Sequence, residues 1–193
     1  MEIEEELTSP FVGRSKRAAL RVGAALSATT APHPKCLRVA PTFRPPHNGR
    51  GERVVTVARE WIGTPYVHQA SVKGVGCDCL GLLRGVWREL HGAEPEDAPP
   101  YSPDWAEATG NETLYLALGR HLAEIAPRNI APGDISLFRM TPRGAAKHCG
   151  IVANKNGVAT LIHARQNKRV SEEAFSPFWW QKLAFAFSLH SVA

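Results

Sequence analysis

Asn156-Gly157 constrains this chain more than any other pair of residues. It separates two apolar runs, His148 to Asn154 and Val158 to Ala164, as the turn of a β-hairpin would. If the turn holds two residues, Lys155 pairs with Val158, Gly150 faces His163 and His148 faces Arg165. Paired residues share a sheet face and alternate residues return to it. His148 and His163 then project from one face as diagonal neighbours, roughly 7–8 Å apart at the backbone. A slip of one residue would put them on opposite faces.

Other strands surround the hairpin. Ile135 to Met140 follows the break at Pro132-Gly133-Asp134, and Arg169-Val170-Ser171 and Ala184 to Leu189 add short strands, with an aromatic turn at Phe178-Trp179-Trp180 between them. Upstream the period is helical. Val54, Val57, Ala58, Trp61 and Ile62 define one amphipathic helix from about Arg53, stopped by Gly63-Thr64-Pro65. A loop with Gly74 and Gly76 leads to a second helix over 79–91, with Gly92 as its C-cap. Prolines make Glu94 to Asp104 a loop. Asn111 then caps a third helix with the stripe Leu114, Leu118, Leu122 and Ile125. Helices first and strands after indicate an α+β domain, with N-terminal helices packed on an antiparallel sheet.

Residues 1–50 differ from the rest. They hold no sustained period, and Pro32, Pro34, Pro41, Pro45 and Pro46 cluster toward their end, so an extended or disordered segment is expected, with at most a short helix near 15–27. The division is therefore 1–50 and a domain over 51–193. Residues 14–30 imitate a secretory signal poorly, since Arg21 interrupts the apolar run behind an acidic start. Synthesis in the cytoplasm without a clear signal peptide is expected, and no stretch is long and apolar enough to span a membrane.

Four cysteines, at 36, 77, 79 and 149, do not form a disulfide framework, because Cys77 and Cys79 are too close to bridge and a chain of 193 residues builds a core without staples. A hydrophobic content of 44% supports that core and excludes wholesale disorder. The net charge of +5 suits an anionic partner, but the basic residues are scattered. With no groove-reading motif, nucleic acid is not expected as a substrate.

The chemistry concentrates in Cys77-Asp78-Cys79-Leu80-Gly81-Leu82. A thiol attacks as thiolate, and free N–H groups at a helix start favour that anion. Cys79 opens the second helix, whereas Cys77 lies in the preceding loop. The same N–H groups can form an oxyanion hole, and Gly81 lets another backbone or a substrate approach closely. Cys79 with His148 and His163 has the logic of nucleophile, base and orienting group. Cys149, next to His148 on a strand, is expected to point away from the site. A zinc site of Cys77, Cys79, His148 and Cys149 is disfavoured by the C-x-C spacing and by that orientation, so no metal and no cofactor are expected. His33, His47, His68, His91, His121 and His190 have no partner pattern, and surface placement is the default for each.

On these residues the chain resembles the NlpC-type cell-wall cysteine peptidases, which share a papain-like core. The matching pieces are Gly63-Thr64-Pro65-Tyr66, Asp78-Cys79-Leu80-Gly81-Leu82, Pro132-Gly133-Asp134-Ile135, His148-Cys149-Gly150-Ile151-Val152 and Ile162-His163-Ala164, in the family's order across 53–190. The Cys-Leu-Gly-Leu form and Trp179-Trp180 resemble the branch found in phage tails and gene transfer agents. The resemblance implies Cys79 as nucleophile, His148 as general base and then acid, and His163 as the orienting third residue. It implies Tyr66 and Asp78 as substrate-binding residues, and peptidoglycan stem peptides, cut beside a D-glutamyl–diamino acid linkage, as substrate. Tail-tip or baseplate hub proteins are the implied partners, and a phage-like tail the implied location. Leu80 departs from the serine of many bacterial members, which assists recognition of a free peptide N-terminus. The alternatives are a structural or assembly component of a tail tip that keeps the fold without the chemistry, and thioester acyl transfer to lipid, which the order of cysteine before both histidines disfavours.

Overall fold

The computed structural model describes residues 49–102 and 111–189. The expected N-terminal segment up to residue 48, with its short helix near 15–27, lies outside them, as do His33, His47 and His190.

Helix α1 (Arg50–Arg59) starts three residues earlier than the apolar period suggests and buries Val54, Val55 and Ala58. The loop after it is not structureless. Strands β1 (Ser71–Val72) and β2 (Gly76–Cys77) pair antiparallel, with Ser71 opposite Cys77. Helix α2 (Cys79–His91) keeps its expected bounds, with Gly92 at a positive φ of 89° as C-cap. Helix α3 is shorter than expected (Thr113–Gly119), and Glu112 rather than Asn111 is its N-cap. Leu122 still reaches the core, but Ile125 belongs to strand β3 (Ala123–Ile125), where pairing with the last strand overrides the helical stripe.

The remaining strands are β4 (Ile135–Phe138), β5 (His148–Lys155), β6 (Val158–His163), β7 (Ser171–Ala174) and β8 (Leu183–Ser188). Together with β3 they form a six-stranded sheet in the order β3-β8-β4-β5-β6-β7, with antiparallel pairing throughout. The fold is therefore α+β, as the sequence indicated. Phe178-Trp179-Trp180 is not a turn but part of helix α4 (Pro177–Lys182), which Pro177 starts with its fixed φ.

The hairpin register is the expected one. Lys155 pairs with Val158 and Ile151 with Ile162. Asn156 and Gly157 both take positive φ, 55° and 83°, as the tight turn requires. Because β5 is central, both its faces are covered. Cys149, Ile151 and Ala153 pack with α1, α2 and α3 residues in one apolar cluster. Val152 packs with Phe138, Leu161, Phe175 and Trp179 in a second cluster on the other face. Arg59 clamps Glu172 of β7 through both carboxylate oxygens, at 2.8 and 3.0 Å, and so ties α1 to the edge of the sheet.

Replacing Gly157 with Val forces a β-branched residue into left-handed backbone. Stability is expected to fall by about 1–2 kcal/mol, seen as a lower urea midpoint at unchanged slope. An unchanged midpoint would contradict this turn conformation.

Candidate active site

Asp78 is the N-cap of α2, and its Oδ1 accepts the Gly81 N–H at 2.8 Å. That places Cys79 at the first helical position, where N–H groups without intrahelical acceptors and the helix dipole favour an anion. A Cβ at Gly81 would run into the carbonyl oxygen of Ala70, so the close approach expected at this glycine is a backbone contact.

The structure brings Cys79, His148 and His163 together. His148, the first residue of β5, is half-buried, and its Nε2 lies 2.9 Å from Nδ1 of the fully buried His163. The two rings share a face because the register is as expected, and Gly150 leaves room for them, since a Cβ there would sit 3.0 Å from the Cβ of His163. Phe138 stacks on His148 at 5.8 Å, and Trp179 contacts both imidazoles, at 5.5 and 4.9 Å between ring centroids. Burial, followed by the charges of His148, Arg165 and Lys168, lowers the His163 pKa to about 2, so this ring is neutral. With Nε2 of His148 turned to His163, its Nδ1 is the atom left for Cys79.

Cys79 is half-buried, with its Sγ 3.9 Å from the carbonyl oxygen of Lys147. Its pKa is held well below the usual thiol value. The Cys149 thiol is the largest cause, opposed by burial and helped by the His148 hydrogen bond and charge and by the Cys149 N–H. Cys149 therefore does not point away from the site. It occupies the face opposite the histidines, and the nucleophile's helix lies on that face. Its own thiol is pushed well up, first by its hydrogen bond to Cys79 and then by burial. Cys77 is fully buried, and burial pushes it up to about 12, so it packs rather than reacts.

Tyr66 is half-buried beside β2, where it bridges Cys77, and burial and the nearby Asp78 and Cys79 raise its phenol pKa. It thus stands next to the nucleophile, where a substrate contact is expected. Asp78 is 2% exposed, and its Oδ2 accepts the Gln69 N–H at 2.7 Å and the Tyr101 hydroxyl at 2.6 Å. With both oxygens engaged by protein donors, Asp78 positions the helix start.

Several participants have no signal in the sequence. Tyr101 lies in the proline-rich loop, where its carbonyl also binds His68 Nε2 at 2.8 Å. His68 is consequently not a plain surface residue, and its Nδ1 lies 3.4 Å from Asp78. Glu173 of β7 sits behind His163, 3.3 Å from its Nε2, while binding Trp179 Nε1 at 2.7 Å and Arg165 at 3.1 Å. Only long-range packing assembles these groups. A largely apolar cavity of about 340 Å³ runs along α2 from Leu80 past Leu83 to Trp87, closed by Tyr101, Leu114 and Leu118. Among the described residues, no cluster of three or more His, Cys, Asp or Glu could hold a metal ion, and no helix is long and apolar enough to cross a membrane.

No protein-family model matches the chain. The gamma-DL-glutamyl hydrolase of Bacillus subtilis (strain 168) is 32% identical over 128 residues, which cover 66% of this chain. This chain spans only 26% of that relative's length. Among solved structures, the NlpC/p60 domain of the peptidoglycan hydrolase SagA aligns over 72% of this chain and 98% of its own, at 26% identity and a TM-score of 0.47. NlpC2 from Trichomonas vaginalis aligns over 72% and 46%, at 22% identity and a TM-score of 0.49.

Cys149→Ala removes the hydrogen bond that does most to lower the Cys79 pKa. The pH midpoint for alkylation of Cys79 by iodoacetamide is expected to rise, with slower labelling near neutral pH. An unchanged midpoint would show that the Cys149 thiol does not hold the anion.

Proposed function

We propose that this chain is a cysteine peptidase of the NlpC/p60 kind that hydrolyses peptidoglycan stem peptides at a γ-D-glutamyl–diamino acid bond. The observation that carries the proposal is a helix-start thiol held toward its anion, joined through His148 to a buried, neutral His163. The relative's identity of 32%, together with its name, supports hydrolysis at a γ-glutamyl bond.

The chemistry follows from the geometry. His148 Nδ1 takes the proton of Cys79, and the thiolate attacks the amide carbon. Asp78 uses the Gly81 N–H, while those of Cys79 and Leu80 emerge from the same helix start and stabilise the tetrahedral oxyanion. His148, now carrying the proton, gives it to the leaving amine. A water then attacks the acyl-enzyme with His148 again as base, which frees the thiol. Tyr66 lies where it can hold the stem beside the nucleophile. The base and its partner are shielded by Phe138 and Trp179.

We further propose that the enzyme acts from a phage-like tail, docked on tail-tip or hub proteins and opening the wall for DNA entry. Support for this finer reading comes from sequence resemblance alone, in Cys79-Leu80-Gly81-Leu82 and Trp179-Trp180. The domain over 51–193 would carry the activity and residues 1–50 none of it.

Mass spectrometry of fragments released from purified sacculi tests the assignment. Cys79→Ala is expected to release none, while Cys77→Ala, which alters only a buried packing position, keeps activity within about threefold and loses about 1 kcal/mol of stability. Equal release by the wild type and Cys79→Ala would overturn the proposal.

A further inference from the structure

The contact between the two histidines admits two proton arrangements. Nε2 of His148 and Nδ1 of His163 are 2.9 Å apart, and either could donate the shared proton. The choice matters. If His163 donates, His148 carries its own proton on Nδ1, facing Cys79, and has no lone pair to receive another. If His148 donates, its Nδ1 is a base.

The far side of His163 decides between these states. This ring is fully buried, so each nitrogen must find its partner inside the protein. Its Nε2 faces Oε1 of Glu173 at 3.3 Å, a contact short of full hydrogen-bond geometry, and among the described residues no other group bonds to Nε2. The placement of Glu173 is built in. Leu161 pairs with Glu173 and His163 with Ser171, so Glu173 and His163 share a face across β6 and β7. Its carboxylate cannot swing freely, because Arg165 holds Oε2 at 3.1 Å and Trp179 Nε1 donates to Oε1 at 2.7 Å. The charged and titratable neighbours of His163 are His148, Arg165, Lys168 and Glu173, and only Glu173 among them presents an acceptor to Nε2.

We infer that Glu173 is a positioning residue that fixes the proton order of the site, holding His163 with its proton on Nε2 so that His148 Nδ1 is left as the base for Cys79. The opposite tautomer would aim a buried lone pair at a carboxylate oxygen, which is repulsive on both sides. In the working order, the Sγ–H bond of Cys79 breaks and the Nδ1–H bond of His148 forms. His148 becomes imidazolium and keeps its Nε2–H on His163, which remains neutral, and Glu173 takes no proton. The consequence for turnover rests on the peptidase reading above, whereas the proton order itself does not.

Long-range ¹H–¹⁵N correlation spectra of the full chain with ¹⁵N-labelled histidine read the order directly. In the wild type, His163 is expected in the Nε2–H form, and an Nδ1–H form would overturn the inference without any variant. Glu173→Met is expected to shift His163 toward Nδ1–H, slow alkylation of Cys79 by iodoacetamide, and lower kcat on sacculus fragments by tenfold or more with KM within about twofold. Glu173→Gln, whose side-chain oxygen still presents an acceptor to Nε2, is expected to restore the tautomer and most of the rate. Wild-type kcat and alkylation in Glu173→Met, or an equal loss in Glu173→Gln with the tautomer unchanged, would sink the role. If the wild type shows the stated tautomer and fast alkylation but cleaves no sacculus, the peptidase reading fails and the proton order stands.

Discussion

Asp78 divides one buried carboxylate between two tasks. Its Oδ1 closes the first turn of α2, and its Oδ2 gathers the Gln69 N–H and the Tyr101 hydroxyl. A side-chain cap is worth about 1 kcal/mol, and each hydrogen bond to a charged group about 1.5–3 kcal/mol. Every donor lost would leave part of a 2%-exposed carboxylate without a partner. The helix start, the loop through Gln69 and the strap at Tyr101 therefore stand or fall together. Cys79 is the next residue along the chain, so its position relative to the sheet follows from this one group. Burial, and after it the same carboxylate, raises the Tyr101 phenol, which keeps that hydroxyl a donor.

The sheet divides the machinery into two halves. Cys79 and Cys149 lie with the helices, while His148, His163, Glu173 and Trp179 lie with the cluster on the opposite face. His148 begins β5, at the end of the strand where its side chain reaches both His163 and Cys79. Alternation along a strand places adjacent residues on opposite sides, yet here both Cys149 and His148 touch the nucleophile.

That arrangement explains what is and is not legible in the amino-acid sequence. Asn156-Gly157 leaves the hairpin little choice of turn, and buried residues on both faces penalise a slipped register, so the histidine pair can be read from the residues alone. Helix α2 is legible to both ends because its cap residues and apolar stripe agree. Alternation correctly gives Cys149 the face away from the histidines, but it carries no sign that the helix bearing the nucleophile covers that face. Ile125 and Phe178-Trp179-Trp180 depart from their local pattern where it meets a stronger partner: the edge of β8 in one case, a helix-starting proline in the other. Tyr101 and Glu173 carry no local signature, since their contacts reach across 23 residues to Asp78 and across a neighbouring strand to His163.

The placement of Cys79 and His148 on separately formed elements has a consequence for the chain while it is still folding. In a nascent or partly unfolded molecule, α2 and the hairpin are undocked, and Cys79 is an ordinary thiol with no base, no Cys149 and no fixed helix start beside it. The activated thiol then arrives together with the packed core and disappears with it. A half-made molecule is kept harmless to its surroundings by the absence of the same contacts that hold the finished one together.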